Sequence, residues 1–246
     1  DVIHTFDGED IVIGGDAGDV VLAGEGDYRD IVVGDYGVAE FDAATELVIK
    51  IASTDHSYGD ADDIMVGDGD DFVIGGFGSD YINIDRLTSE KFGDDTGHDV
   101  IVGDNGYAHF AIVTSEQSES GRASVIEEIE SNYAEYGLDD FIYSAAGDDI
   151  VVGGSGADEI YASDNDPGVV DKDIVLGDNG RVVFQVHSND VGHAEYLYTP
   201  LVPYATVVTA ETLRVDDKAS EAATYHGGVD VIHTFDGEDI VIGGDA

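Results

Sequence analysis

The sequence predicts an all-β fold built from short repeated strands, and three observations carry that prediction. The seventeen residues from Asp1 to Ala17, DVIHTFDGEDIVIGGDA, return unchanged from Asp230 to Ala246, at an offset of 229 residues. Inside that period, aspartates followed by β-branched runs such as IVI, VVL and IVV recur at intervals of about nine residues, the mark of a repeat architecture. A Gly-Asp-x-Gly marker closes each of three sets of four such rows. The organisation that follows is one tandem repeat over 1–229, made of three sub-units at about 1–58, 59–136 and 137–224, with 230–246 opening the next identical copy.

Aligned on an aspartate at the sixth position, the first set of rows is Asp1, Asp10, Asp19 and Asp30, closed by GDYG at Gly34 to Gly37. The second is Asp63, Asp71, Asp80 and Asp99, closed by GDNG at Gly103 to Gly106, and the third is Asp140, Asp149, Asp158 and Asp173, closed at Gly177 to Gly180. Asp230 and Asp239 begin the following copy, where the absence of their next rows predicts less complete ion binding. Two residues beyond each aspartate stands an apolar side chain: Val12, Val21, Val32, Met65, Val73, Ile82, Ile101, Ile142, Val151, Ile160 or Val175. A strand alternates faces with a period of two, so these residues are expected to share one face and form the core.

After each marker the aspartate rhythm stops and a longer insertion begins, reaching Phe41, Phe110 or Phe184 and returning through Tyr58 with Gly59, Tyr136 with Gly137, and Tyr225 with Gly227. Runs such as HFAIV, RVVFQV, LVIKI and ATVV are rich in β-branched residues and predict β-hairpins or ribbons. One segment conflicts: SVIEEIESNYAEY from Ser124 has a capping-box spacing and a helical stripe. Its counterpart at Leu47 to Gly59 aligns without a gap and has no such stripe, so 124–136 is read as strand.

Fifty-five acidic against nine basic side chains give a formal charge of −46, which opposes compaction unless cations neutralise it. That balance disfavours nucleic acid and anionic membranes as partners. A hydrophobic content of 42% argues against disorder, and the lack of cysteine excludes disulfides and thiolate metal sites. In each row, glycines at the first, second and fourth positions let carbonyl oxygens converge beside the sixth-position carboxylate. Hard oxygen donors of this kind suit several Ca²⁺ ions. The candidate ligands are the fourteen row aspartates, joined by Asp7, Gly8, Asp68, Gly69, Gly76, Gly78, Gly147, Gly154 and Gly156 in the turns.

Gly75 to Asn83, GGFGSDYIN, and Gly153 to Tyr161, GGSGADEIY, fit the form GGxGxDxUx with U a large apolar residue. In this the chain resembles the RTX family. The resemblance implies a parallel β-roll, a solenoid in which two rows make one right-handed turn, with Ca²⁺ between successive turns on each edge. Ions would then be shared by Asp1 with Asp19, Asp10 with Asp30, Asp63 with Asp80, Asp71 with Asp99, Asp140 with Asp158, and Asp149 with Asp173. The chain departs from the family form in three ways. Positions seven and nine are also apolar, so both strand faces want cover, which the inserted ribbons are expected to provide by packing on the roll. Asp30, Asp99 and Asp173 follow irregular steps of 11, 19 and 15 residues. The markers open rows that no aspartate completes and read as exits from the roll.

Catalytic signatures are missing: Ser155 lacks a nucleophile elbow, the histidines form no HExxH pair, and the loop from Asp164 lacks the closing EF-hand glutamate. Duplication of a long unit favours a function served by length. The expectation is a non-enzymatic, calcium-dependent extender repeat of a giant secreted bacterial surface adhesin, exported by type I secretion and joined to identical neighbours. Surface glycans or a partner cell would be met through other domains. Two alternatives are an RTX module accessory to a secreted protease or polysaccharide epimerase, and a carbohydrate-binding domain using Tyr196, Tyr198 and Tyr204.

Overall fold

The computed structural model describes residues 1–24, 26, 28–91, 96–114, 122–163, 171–186, 205–213, 227–235 and 239–244. Rows and insertions both form strands. In chain order these are β1 (Val2–Phe6), β2 (Ile11–Ile13), β3 (Val20–Ala23), β4 (Ile31–Val33), β5 (Gly37–Phe41), β6 (Val48–Ser53) and β7 (Asp63–Met65). There follow β8 (Phe72–Gly76), β9 (Tyr81–Ile82), β10 (Val100–Asp104), β11 (Gly106–Thr114), β12 (Arg122–Ser131), β13 (Phe141–Tyr143) and β14 (Ile150–Gly154). The last are β15 (Glu159–Tyr161), β16 (Ile174–Asp178), β17 (Gly180–Val186), β18 (Ala205–Thr212), β19 (Val231–His233) and β20 (Ile240–Ile242).

Alternate rows fall into two parallel sheets of seven strands each. Sheet A runs β1-β3-β7-β9-β13-β15-β19 and sheet B runs β2-β4-β8-β10-β14-β16-β20, so two rows make a turn and the stack passes unbroken through all three insertions. The inward residues Val12, Val21, Val32, Ile64, Val73, Ile82, Ile101, Ile142, Val151, Ile160 and Val175 meet in one apolar cluster between the sheets. Full burial of a Val or Ile side chain stabilises by about 1.5–3 kcal/mol, and the stack repeats that gain twice per turn.

The inserted ribbons form a third sheet, antiparallel, in the order β18-β17-β12-β11-β6-β5. It packs on the outer face of sheet B, where Phe72, Ile74, Val100, Val102, Ile150, Val152, Ile174 and Leu176 meet Ile51, Phe110, Ile126, Ile129, Val182 and Phe184. This second core explains why positions seven and nine of those rows are apolar. Among the described residues this ribbon sheet covers sheet B, while on sheet A a small cluster of Ile84, Tyr143 and Ala145 gathers against Phe141 and Tyr161. Sheet A keeps a half-exposed outer face, partly dressed by a ring ladder in which Tyr81 stacks on Phe141 at 4.8 Å and Tyr161 on His233 at 4.7 Å. The helix-like stretch forms strand β12 over Arg122–Ser131, and only Ala134–Tyr136 makes a 3₁₀ turn. Pairing with β11 and β17 on its two sides overrides the local helical stripe.

One row expectation is corrected. β7 pairs with β3 as Val20 to Asp63, Val21 to Ile64 and Leu22 to Met65, which places Asp62, and not Asp63, opposite Asp19. A slip of one residue reverses every side chain. Ile64 is therefore the inward residue, fully buried, while Asp63 and Met65 are half-buried on the outer face of sheet A.

Candidate metal-binding edges

The row aspartates stand at the strand starts and build two ladders, one on each edge of the roll. On the edge leading from sheet B to sheet A, the Asp19 N–H donates to Asp62 Oδ1 at 2.7 Å, Asp62 to Asp80 at 2.8 Å, Asp80 to Asp140 at 2.8 Å, Asp140 to Asp158 at 2.9 Å and Asp158 to Asp230 at 3.2 Å. Asp1 heads this ladder, its amine donating to Asp19 Oδ1 at 2.5 Å. On the A-to-B edge the same relation links Asp10, Asp30, Asp71, Asp99, Asp149, Asp173 and Asp239 at 2.7–3.2 Å. One oxygen of each carboxylate thus satisfies a main-chain donor of the preceding turn. The rows expected to lie beside each other, two apart along the chain, are neighbours in these ladders, with Asp62 in the place of Asp63.

The second oxygen is the informative one. On the B-to-A edge, Oδ2 of Asp19, Asp62, Asp80, Asp140, Asp158 and Asp230 is buried without a hydrogen-bond partner. An orphaned buried carboxylate oxygen costs free energy unless a proton or a cation meets it. Each of these oxygens lies against the bare Cα of a strand-end glycine. A methyl group on Gly75 would come within 2.5 Å of Asp80 Oδ2 and would collide with the Gly103 carbonyl; one on Gly153 would meet Asp158 Oδ2 at 2.5 Å and the Gly177 carbonyl. Gly14, Gly34, Gly103 and Gly177 repeat the arrangement. The edge is therefore a file of carboxylate oxygens beside glycine carbonyls, repeated at the strand spacing of about 4.8 Å. Its donors are all hard oxygens, which fits Ca²⁺. Among the described residues no three Asp, Glu or His side chains converge as a metal cluster.

Burial pushes these carboxyls up: Asp62 to about 7, Asp158 to about 8 and Asp230 to about 6, while Asp80 and Asp140, sealed and beside other carboxylates, stand well above the usual range. On the other edge burial raises Asp30 and takes Asp173 to about 8.

The turn candidates divide. Gly8, Gly69 and Gly147 adopt φ of 143°, 150° and 149° on the A-to-B edge, and Gly76, Gly78, Gly154 and Gly156 adopt 117°, 139°, 113° and 129° on the B-to-A edge. The side chains of Asp7 and Asp68 are exposed. Tyr196, Tyr198, Tyr204, Tyr225 and the loop from Asp164 lie outside the described residues.

The markers hold residues that the row pattern did not single out as site residues. They are exits, since β4, β10 and β16 leave there for β5, β11 and β17, but their aspartates are also buried on the B-to-A edge. Asp35 Oδ2 accepts from Phe77 N at 2.5 Å. Asp104 accepts from Ser155 N with one oxygen and from Leu138 N at 3.2 Å with the other, which ties the exit of an insertion to its re-entry and to the next turn. Gly59 and Gly137, the re-entry glycines, bring their bare Cα onto these carboxylates, and Gly244 does the same at Asp178. Burial pushes Asp35 up to about 8 and Asp104 well above the ordinary range. The signal was in the sequence: all three markers carry an aspartate at this place.

Comparison with protein-family models, with curated proteins and with solved structures gave no match for this chain. The geometry alone bears on function.

Proposed function

We propose that this chain is a calcium-dependent, rod-like extender repeat of a large secreted bacterial surface protein with an adhesive role, of the RTX type that its rows resemble. The observation that carries the reading is the file of buried, unpartnered carboxylate oxygens beside glycine carbonyls on the B-to-A edge. Without cations, a chain of formal charge −46 holds those groups together against their repulsion. With cations, metal binding supplies folding free energy, and extracellular Ca²⁺ at about millimolar levels suffices even for weak sites.

The extender role is supported by the continuity of the stack. Six turns per 229-residue unit, at a strand spacing of about 4.8 Å, add roughly 29 Å of rod for each copy. The partners in this reading are neighbouring copies of the repeat, while glycans or a cell surface are met elsewhere in the protein. Small-angle scattering with far-UV circular dichroism through a Ca²⁺ titration tests it. The expected result is an expanded, weakly structured chain in chelator and a compact β-rich rod at about millimolar Ca²⁺. Equal compactness and equal β content in chelator would end the proposal.

A further inference from the structure

The ribbon sheet ends in two strands that pair on one side only among the described residues: β5 at one end, joined to β6, and β18 at the other, joined to β17. An edge strand presents a row of main-chain donors and acceptors that another strand can take up.

The height of these edges on the roll is set by the exits. Each ribbon leaves from a sheet B strand, β4, β10 or β16. In the order of sheet B, β8 lies between the first and second exits and β14 between the second and third. An exit therefore recurs every two strands, and each ribbon is itself two strands wide. A strand spacing of about 4.8 Å is common to both sheets, so ribbons of this width tile sheet B without a gap. That commensurability lets three separate hairpins make one sheet. The strand after β16 is β20, which repeats β2 letter for letter, and the strand after β2 is β4. In a tandem array the first exit of the next copy thus lies two strands beyond β16, the same step that separates the ribbons inside a copy.

The register runs on in the same way. One inward column crosses the sheet, pairing Ala39 with Ile51, Ile51 with Ala108, Ala108 with Ile129, Ile129 with Val182 and Val182 with Ala210. Beside it, the joints between ribbons pair Lys50 with His109 and Glu128 with Val183. Carried one step further, this pattern sets Ala210 opposite Ala39 of the next copy, Thr209 opposite its Glu40 and Glu211 opposite its Val38. No like charges stand directly opposite each other there, although the chain carries a formal charge of −46. Each acid also has a basic neighbour, Lys50 at 3.8 Å from Glu40 and Arg181 at 3.8 Å from Glu211.

Burial points to the same occupant. Ile11 and Ile13, the outward residues of β2, are each 38% exposed. Ile242 repeats Ile13 with β17 and β18 ahead of it in the chain, and it packs against the ribbon core. The first ribbon of a copy leaves its own β2 bare, and the last ribbon of the copy before is what reaches it.

Resting on the tandem extender reading, we propose that β18 of each copy pairs antiparallel with β5 of the next, so that the partner of both free edges is a neighbouring copy of this chain. The ribbons then form one unbroken sheet along the rod. The boundary between copies is sealed on the roll and on the ribbon sheet together, as the joints within a copy are, and it is not a hinge.

The chain has no cysteine, so introduced pairs report on one joint at a time. The test uses two joined units, residues 1–229 followed directly by a second 1–246, in Ca²⁺. Thr209→Cys in the first unit with Glu40→Cys in the second sets two thiols across the seam at a Cα separation of about 4.5–5.5 Å, within reach of a disulfide. Lys50→Cys with His109→Cys inside one unit is the equivalent joint already seen in the structure. Both pairs are expected to close on mild oxidation at similar rates. Each should be at least about tenfold faster than Thr209→Cys with Val38→Cys of the second unit, whose diagonal separation of about 7–8 Å is out of reach. A match to the parent far-UV spectrum certifies each variant, and Glu211→Cys with Val38→Cys replaces the seam pair should that pair misfold. Closure at Lys50 and His109 without closure across the seam overturns the proposal. Small-angle scattering separates that failure from failure of the extender reading. A two-unit rod longer than one unit by roughly 29 Å, with an open seam, leaves the extender standing, whereas no gain in length removes both.

Discussion

Asp62 and Asp63 are adjacent, chemically identical and opposite in role, which makes their truncation to alanine a sharp test of the register. Asp62 is fully buried, its Oδ1 accepts from Asp19 N at 2.7 Å, and its second oxygen lies on the B-to-A edge beside Gly34. Asp62→Ala leaves a buried main-chain N–H without an acceptor, at about 1–3 kcal/mol. The small void left behind adds about 1 kcal/mol, for about 2–4 kcal/mol in all at saturating Ca²⁺. Asp63 is half-buried on the outer face of sheet A, where burial raises its carboxyl and the Arg86 charge partly offsets that, so Asp63→Ala should cost about 0.5 kcal/mol or less. Urea unfolding followed by circular dichroism at saturating Ca²⁺ measures both, and an unchanged slope shows that only stability moved. The Ca²⁺ requirement should also rise for Asp62→Ala alone. If Asp63→Ala proved the costlier substitution, the assigned register, and the inward place of Ile64 with it, would be wrong.

Three further outcomes follow from the same geometry. In chelator, folded-state carboxyls stand above their unfolded values, at about 7 for Asp62 and about 8 for Asp35, Asp158 and Asp173, so the folded chain binds more protons than the unfolded one. The metal-free folded state is therefore favoured in full only below the ordinary carboxylate range and loses that contribution as pH rises through about 7 to 8; far-UV circular dichroism in chelator should show more β structure at pH 5.5 than at pH 8, and the reverse would contradict the burial of these groups. Gly75→Ala places a methyl on Asp80 Oδ2 and the Gly103 carbonyl, with an expected loss of about 1–3 kcal/mol in Ca²⁺ and weaker ion binding by calorimetry. Phe72→Ala empties a fully buried place between sheet B and the ribbon sheet, where its ring meets Phe110 edge-on at 6.1 Å, and thermal or urea unfolding should report about 3–5 kcal/mol.

The row rhythm alone led to the two ladders because its physics is local. A glycine-rich turn, a carboxylate at the strand start and an apolar residue two places on are demands that one short segment can state by itself. The ribbons were legible for the same reason, and even SVIEEIESNYAEY yielded its strand once compared with its internal counterpart at Leu47 to Gly59. Residue 63 was misplaced because DADD offers two aspartates to one row position, and Ile64 and Met65 are both apolar enough to follow. Only pairing with β3 on one side and β9 on the other selects between them.

Other features depend on what the chain brings together across turns. Asp35 and Asp104 are ordinary turn aspartates in their own segments; they become buried staples because Phe77, Leu138 and Ser155, dozens of residues away, present main-chain donors to them. Whether the ribbons cover both sheets or one is equally invisible along the chain, since Val20 and Leu22 are as apolar as Ile31 and Val33. The exits leave from the ends of sheet B strands, and the ribbons fold back onto the sheet they have just left. Composition and periodicity thus settled the strands and their parallel stacking. Stacking the turns settled which aspartate belongs to which ladder, which carboxylate oxygens are buried, and which strand face meets the ribbon sheet, because register and burial are properties of neighbours that the chain does not place side by side.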